Sequence, residues 1–151
     1  MLFTSLMTGC SGQKSTTTMK THHYKDCIVD SITMEYRNTK KFKETHGNRN
    51  PYSVTDEERL QQFENYTIDE DDWNVILDLL TTAVYHKKQI QERILPHDIS
   101  LIIYCSSVER TKVDLWLKSP KSRLKIDGLW HGVIPSKRDE FDRLFSKYIE
   151  L

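Results

Sequence analysis

Two stretches of this chain lie too close together to be anything but neighbours in a sheet. Residues 99–108 read ISLIIYCSSV and residues 112–119 read KVDLWLKS, with Glu109, Arg110 and Thr111 between them. Leu101, Ile103 and Cys105 alternate with Ile102 and Tyr104, and Val113, Leu115 and Leu117 alternate with Asp114 and Trp116. A period of two belongs to an extended chain, whose successive side chains point to opposite faces. So short a connection makes the pair an antiparallel hairpin.

The remaining patterns are read around that hairpin. In DCIVDSITMEY, Asp26 to Tyr36, the alternation predicts a strand with Ile28, Ile32, Met34 and Tyr36 on one face and Cys27 and Val29 on the other. SRLKIDGLWHGVI, Ser122 to Ile134, reads as a further strand, bent or broken around Gly128. TIDEDDWNVILDLLTTAVYHKK, from Thr67 to Lys88, brings Trp73, Ile76, Leu77, Leu80, Ala83 and Val84 to one side of a helix. In SKRDEFDRLFSKYIEL, Phe141, Leu144, Phe145, Tyr148 and Ile149 form an apolar stripe, with Ser136 as cap and Asp139 in the box position. A short helix is also predicted over Thr55 to Tyr66, where Glu58 follows Thr55 at capping-box spacing. The expected fold class is α+β: an antiparallel sheet of about four strands with two or three helices packed on one face.

Length and charge narrow the classes of function. The chain has 151 residues, which fits one domain able to fold without staples. Lys plus Arg and Asp plus Glu both number 22, so the long-range positive field of most nucleic-acid binders is absent and no nucleic-acid partner is expected. The sequence contains no apolar run of transmembrane length.

The first thirteen residues differ from the rest in carrying no charged side chain. Leu2, Phe3, Leu6 and Met7 are apolar, Thr8 and Gly9 are small, and Cys10 follows. LMTGC, Leu6 to Cys10, resembles the lipobox of bacterial lipoproteins. There an apolar residue, two small residues and a cysteine are read by a diacylglycerol transferase and a dedicated signal peptidase. The resemblance implies that residues 1–9 are a short, atypical lipoprotein signal, that Cys10 is lipidated, and that residues 10–21 are a Ser/Thr-rich tether to a single globular domain over 22–151. Ser11 to Thr21 reach at most about 40 Å when extended, and lipidation with two or more acyl chains holds a protein stably at a membrane. The implied address is the bacterial cell envelope, on the periplasmic side.

Chemistry is harder to find in the body. Histidines stand at positions 22, 23, 46, 86, 97 and 131, none at H-E-x-x-H spacing or beside a C-x-x-C pair, so no metal centre is expected. His22 and His23 adjoin the tether and are expected to be solvated. His97 and Asp98, adjacent on an extended chain, point opposite ways and cannot pair as acid and base. Asp69, Glu70, Asp71 and Asp72 suit the positive end of a helix and lack the calcium-loop spacing. Ser106 and Ser107 lie in no nucleophile elbow, and no glycine loop for phosphates occurs, so neither catalytic residues nor a cofactor are expected. Two basic groups, Lys40, Lys41 and Lys43, then Lys118, Lys121, Arg123 and Lys125, suit a solvated face, with an acidic partner or anionic headgroups as the alternative. Cys27 and Cys105 admit either a disulfide or two separately buried thiols, the thiols slightly favoured.

The expected function is a non-enzymatic, lipid-anchored binding or interaction module of the cell envelope, an immunity or inhibitor protein being one form of it. Its partners are the membrane, through lipid, and an envelope protein, with Trp116, Trp130 and His131 as the candidate binding surface. Two alternatives stay open: an envelope enzyme of the hydrolase type whose site assembles only in three dimensions, and a cytosolic protein whose Cys10 is unmodified.

Overall fold

The structure, a computed structural model, describes residues 22–47, 55, 57, 61–89, 97–106 and 109–149. Among these the chain runs β1 (His23–Tyr24), β2 (Cys27–Arg37), α1 (Thr39–His46), β3 (Phe63–Thr67), a 3-10 turn (Glu70–Asp72) and α2 (Trp73–Thr81). It continues through β4 (Val84–Tyr85), β5 (Ile99–Cys105), β6 (Arg110–Leu115), β7 (Arg123–Ile126), β8 (Leu129–Gly132) and α3 (Pro135–Phe145).

The expected four-stranded sheet is corrected to eight antiparallel strands in one curled half-barrel, in the order β1-β2-β5-β6-β7-β8-β4 with β3 also on β2. The eleven residues of β2 are long enough to serve three neighbours. One edge pairs β5 from Val29 to Tyr36, while the other pairs β1 at Cys27 and Ile28 and then β3 from Thr33 to Arg37. The expected single bent strand at Gly128 is instead the β7–β8 hairpin, with Ile126 opposite Leu129. Asp127 and Gly128, the two loop residues, both have positive φ, +50° and +83°. That is the geometry for which Asp-Gly is favoured, because its twist matches that of the strands it joins.

The phase of β2 also differs from simple alternation. A bulge between Val29 and Ser31 inserts one residue, so Val29 joins Ile32 and Met34 on the buried face while Ile28 turns outward. That face continues through Leu101, Ile103, Val113, Leu115, Leu124 and Ile126, against which α2 and α3 lay Ile76, Leu79, Leu80, Phe141 and Phe145. Each such side chain contributes about 1.5–3 kcal/mol by leaving water.

The helices are shorter than their apolar patterns suggest. α2 stops at Thr81 because the hydroxyls of Thr81 and Thr82 bond back to the Asp78 carbonyl, at 3.3 and 2.7 Å. Val84 and Tyr85, expected on or beyond the helix, pair with Gly132 and His131. α3 begins at Pro135, whose missing N–H costs nothing in a first turn, and Ser136 forms no cap. Phe63–Thr67, expected in a helix, is β3; Glu58 of the expected capping box lies outside the described residues. Conversely, Lys40, Lys41 and Lys43 stand on α1, which has Phe42 as its single buried residue and is capped by Asn38 Oδ1 accepting from the Lys41 N–H at 2.9 Å.

Two links join parts of the sheet that are far apart in sequence. Cys27 of β2 and Cys105 of β5 form a disulfide with their Cα atoms 5.6 Å apart. Lys25 in the β1–β2 turn approaches Asp127 in the β7–β8 turn at 3.7 Å, joining the two sides of the half-barrel. The cysteines are 78 positions apart in sequence, and closing so long a loop stabilises by about 4.5 kcal/mol in the chain-entropy description. Replacing both cysteines by serine is expected to lower the unfolding free energy by about 2–5 kcal/mol, read from urea denaturation of the oxidised parent beside the variant.

Candidate functional site

Between β6 and β7 the chain leaves the sheet as a loop, Trp116 to Ser122, and buried polar groups hold it in place. Arg138 on the inner side of α3 is 1% exposed. Its Nε donates to Asp142 Oδ1 at 3.0 Å, its Nη1 donates to the Lys121 carbonyl at 3.3 Å, and its Nη2 donates to the Trp116 carbonyl. From the opposite side, Asp98 Oδ2 accepts the Leu117 N–H at 2.9 Å. Asp98 Oδ1 lies 3.5 Å from Arg37 Nη2, and Arg37 Nε donates to the His97 carbonyl at 3.2 Å. A loop fixed at both ends leaves a gap where it faces the end of β2 and the start of α1.

That gap is a cleft of about 440 Å³, within the usual range of ligand sites. Tyr36, Trp116 and Leu117 supply an apolar floor, Arg37, Lys118 and Lys121 the positive charge, and Thr39 the opening turn of α1. Burial first, then the carboxylates of Asp98 and Glu64, hold the Tyr36 hydroxyl above its ordinary pKa, so it is neutral at pH 7. A wider depression of about 510 Å³ beside His22, Asn74 and Asp78 is more open to solvent.

Beside the cleft, His97 stands edge-on to Trp116 with ring centroids 6.2 Å apart. His97 Nε2 is 3.5 Å from Asp114 Oδ1, the oxygen that also accepts the Ser100 hydroxyl at 2.9 Å. His97 and Asp98 thus turn to different partners. Because the serine proton points at the carboxylate and not at the imidazole, these three groups make no relay for activating a nucleophile. Burial pushes the His97 pKa below its ordinary value, more than the Asp114 carboxylate raises it, and Lys112 and Arg37 push the same way as burial.

The other residues singled out by sequence fall in separate places. Trp116 and Trp130 stack with centroids 5.1 Å apart and are both buried, with the Arg123 and Lys125 cations 5.3 and 5.1 Å from the Trp130 ring. His131, the next residue along β8, faces the other side of the sheet, against Tyr85. Trp116 alone of the three lines the cleft. His22, expected to be solvated, is buried edge-on to Trp73 at 5.1 Å and 3.7 Å from Glu70. The acidic turn ahead of α2 is tied down by the end of the chain: Lys147 reaches Asp69 at 3.2 Å and Asp72 at 2.8 Å, and the Tyr148 hydroxyl donates to Asp72 at 2.5 Å. Burial, then that hydrogen bond, raises the Tyr148 pKa to about 12. No group of three or more metal-ligating side chains occurs among the described residues. Cys10 lies outside them.

No protein-family model, curated protein or solved structure matches the chain.

Sequence reading did not single out Tyr36, Arg37, Arg138 or Asp142 for this site. One signal was available: Arg138 precedes Phe141 by three residues, on the apolar stripe of its helix, where a charge must find a buried partner. Arg138→Met is expected to lose about 3–5 kcal/mol of stability, because Asp142 and two backbone carbonyls lose their buried donor; denaturant unfolding measures it. The lowered His97 pKa has a definite sign. The unfolded chain takes up the proton first as pH falls, so stability is full above the unfolded value of about 6.5 and declines below it. In His97→Gln the decline of unfolding free energy between about pH 7 and pH 5 is expected to be shallower than in the parent.

Proposed function

We propose that this chain is a non-catalytic binding module held at the bacterial cell envelope by lipid on Cys10, and that the cleft beside the Trp116 to Ser122 loop is where it meets its envelope ligand. The observation that carries the reading is how the polar groups around the cleft are used. Asp98, Arg138 and Asp142 spend their hydrogen bonds on holding the loop, and Ser100 and His97 both turn to Asp114. Such a site is preorganised for recognition, which lowers the ordering cost of binding.

The address rests on different support. LMTGC at Leu6 to Cys10 resembles a lipobox, and the Cys27–Cys105 disulfide suits an oxidising compartment. Among the described residues no helix is long and apolar enough to cross a membrane, so in this reading attachment falls to acyl chains. Intact-mass analysis of the protein from its native membrane fraction tests this. The expected product begins at Cys10 and carries added acyl mass; a chain that keeps Met1 to Gly9 without acyl mass defeats the anchor.

A further inference from the structure

The charges around the cleft do not cancel, and the imbalance selects a ligand class. Lys121 Nζ lies 3.1 Å from Asp142 Oδ2, but the other oxygen of that carboxylate is held by buried Arg138. One negative charge therefore serves two cations. Lys118 is exposed and makes no ion pair among the described residues. On the far wall Arg37 and Asp98 offset one another, charge for charge. Lys121 and Arg138 thus share the single carboxylate of Asp142 while Lys118 adds a third cation, a surplus of two positive charges among the described residues. Thr39 also lines the more open depression beside Lys40, Lys43 and Glu44 of α1, where two cations meet one carboxylate.

Beneath this cationic rim the floor is apolar, formed by Tyr36, Trp116 and Leu117. An inorganic anion uses the rim and leaves the floor wet, while a neutral apolar molecule leaves the cations unanswered. We propose that the cleft binds an organic anion in which a phosphate, carboxylate or sulfonate group is joined to a ring or short apolar body. This deepens the binding-module reading and rests on it, but not on the lipid anchor. A soluble metabolite and an anionic lipid headgroup share that chemistry.

The test is a titration of the full chain with 1-naphthyl phosphate, followed by the indole N–H signals of its tryptophans and by calorimetry. Saturable binding at one site is expected, with the largest indole shift at Trp116. Inorganic phosphate is expected to bind at least about ten-fold more weakly, because it buries no apolar surface. Lys118→Glu is expected to weaken naphthyl phosphate by about ten-fold through charge reversal at the rim. Thr39→Glu is a second variant with the same expectation, and a carboxylate in the first turn of α1 suits the helix dipole, so it keeps the fold. Competition by phosphatidylglycerol vesicles, with none by phosphatidylcholine, supports the headgroup form; binding that neither vesicle affects supports the soluble form. Absence of saturable binding, equal affinity for inorganic phosphate, or unchanged affinity in both variants overturns the proposal. The mass measurement decides the anchor separately, so failure of one leaves the other standing.

Discussion

The structure depends on covering one apolar sheet face with very little helix. Seven strands side by side span about 29 Å at their usual spacing, whereas two helices lying together cover only about 20 Å. α2 and α3 have nine and eleven residues. A flat sheet would leave the outer strands' apolar residues wet. Curling solves the mismatch, because a concave face wraps the same two helices and brings Ile32, Ile103 and Leu124 onto one core. The twist of antiparallel strands and the bulge in β2 both favour that curl.

A curled sheet has two sides that approach one another and an end where the helices run out. The Lys25–Asp127 pair bridges the sides, but both partners are about half exposed, so its contribution is small. The disulfide, within the sheet itself, acts chiefly on the unfolded chain. At the open end, α3 offers Arg138 to the loop that leaves β6. A buried guanidinium is costly unless its donors are answered, so the loop carbonyls and Asp142 must stay where they are. The same requirement that satisfies Arg138 keeps the cleft open.

Much of this could be read from residues in order. The β5–β6 pair was legible because its alternation is clean and its connection short, and the cores of α2 and α3 because their apolar residues recur at helical spacing. Strand number was not. β1 and β4 have two residues each, too few to show a period, and exist only because β2 and β8 offer them an edge. Val84 illustrates the point, since its spacing from Leu77 and Leu80 fits a helix while the adjacent β8 makes it a strand. The Asp127–Gly128 turn carried a hairpin signal that a bent-strand reading overrode. α1 has one buried apolar residue and therefore no stripe to recognise.

The amino-acid sequence alone determined the alternation of the β5–β6 pair, the apolar spacing at the cores of α2 and α3, the even balance of charge, and the lipobox resemblance at Cys10. These are local properties, set by side-chain chemistry at short spacing. Only the tertiary structure decided that the sheet curls, that Cys27 meets Cys105, that Trp116 and Trp130 are buried together, and that the start of α1 and the loop after β6 line one cleft. Those outcomes depend on which surfaces meet when they are far apart in sequence, and that choice belongs to the packing of the whole chain.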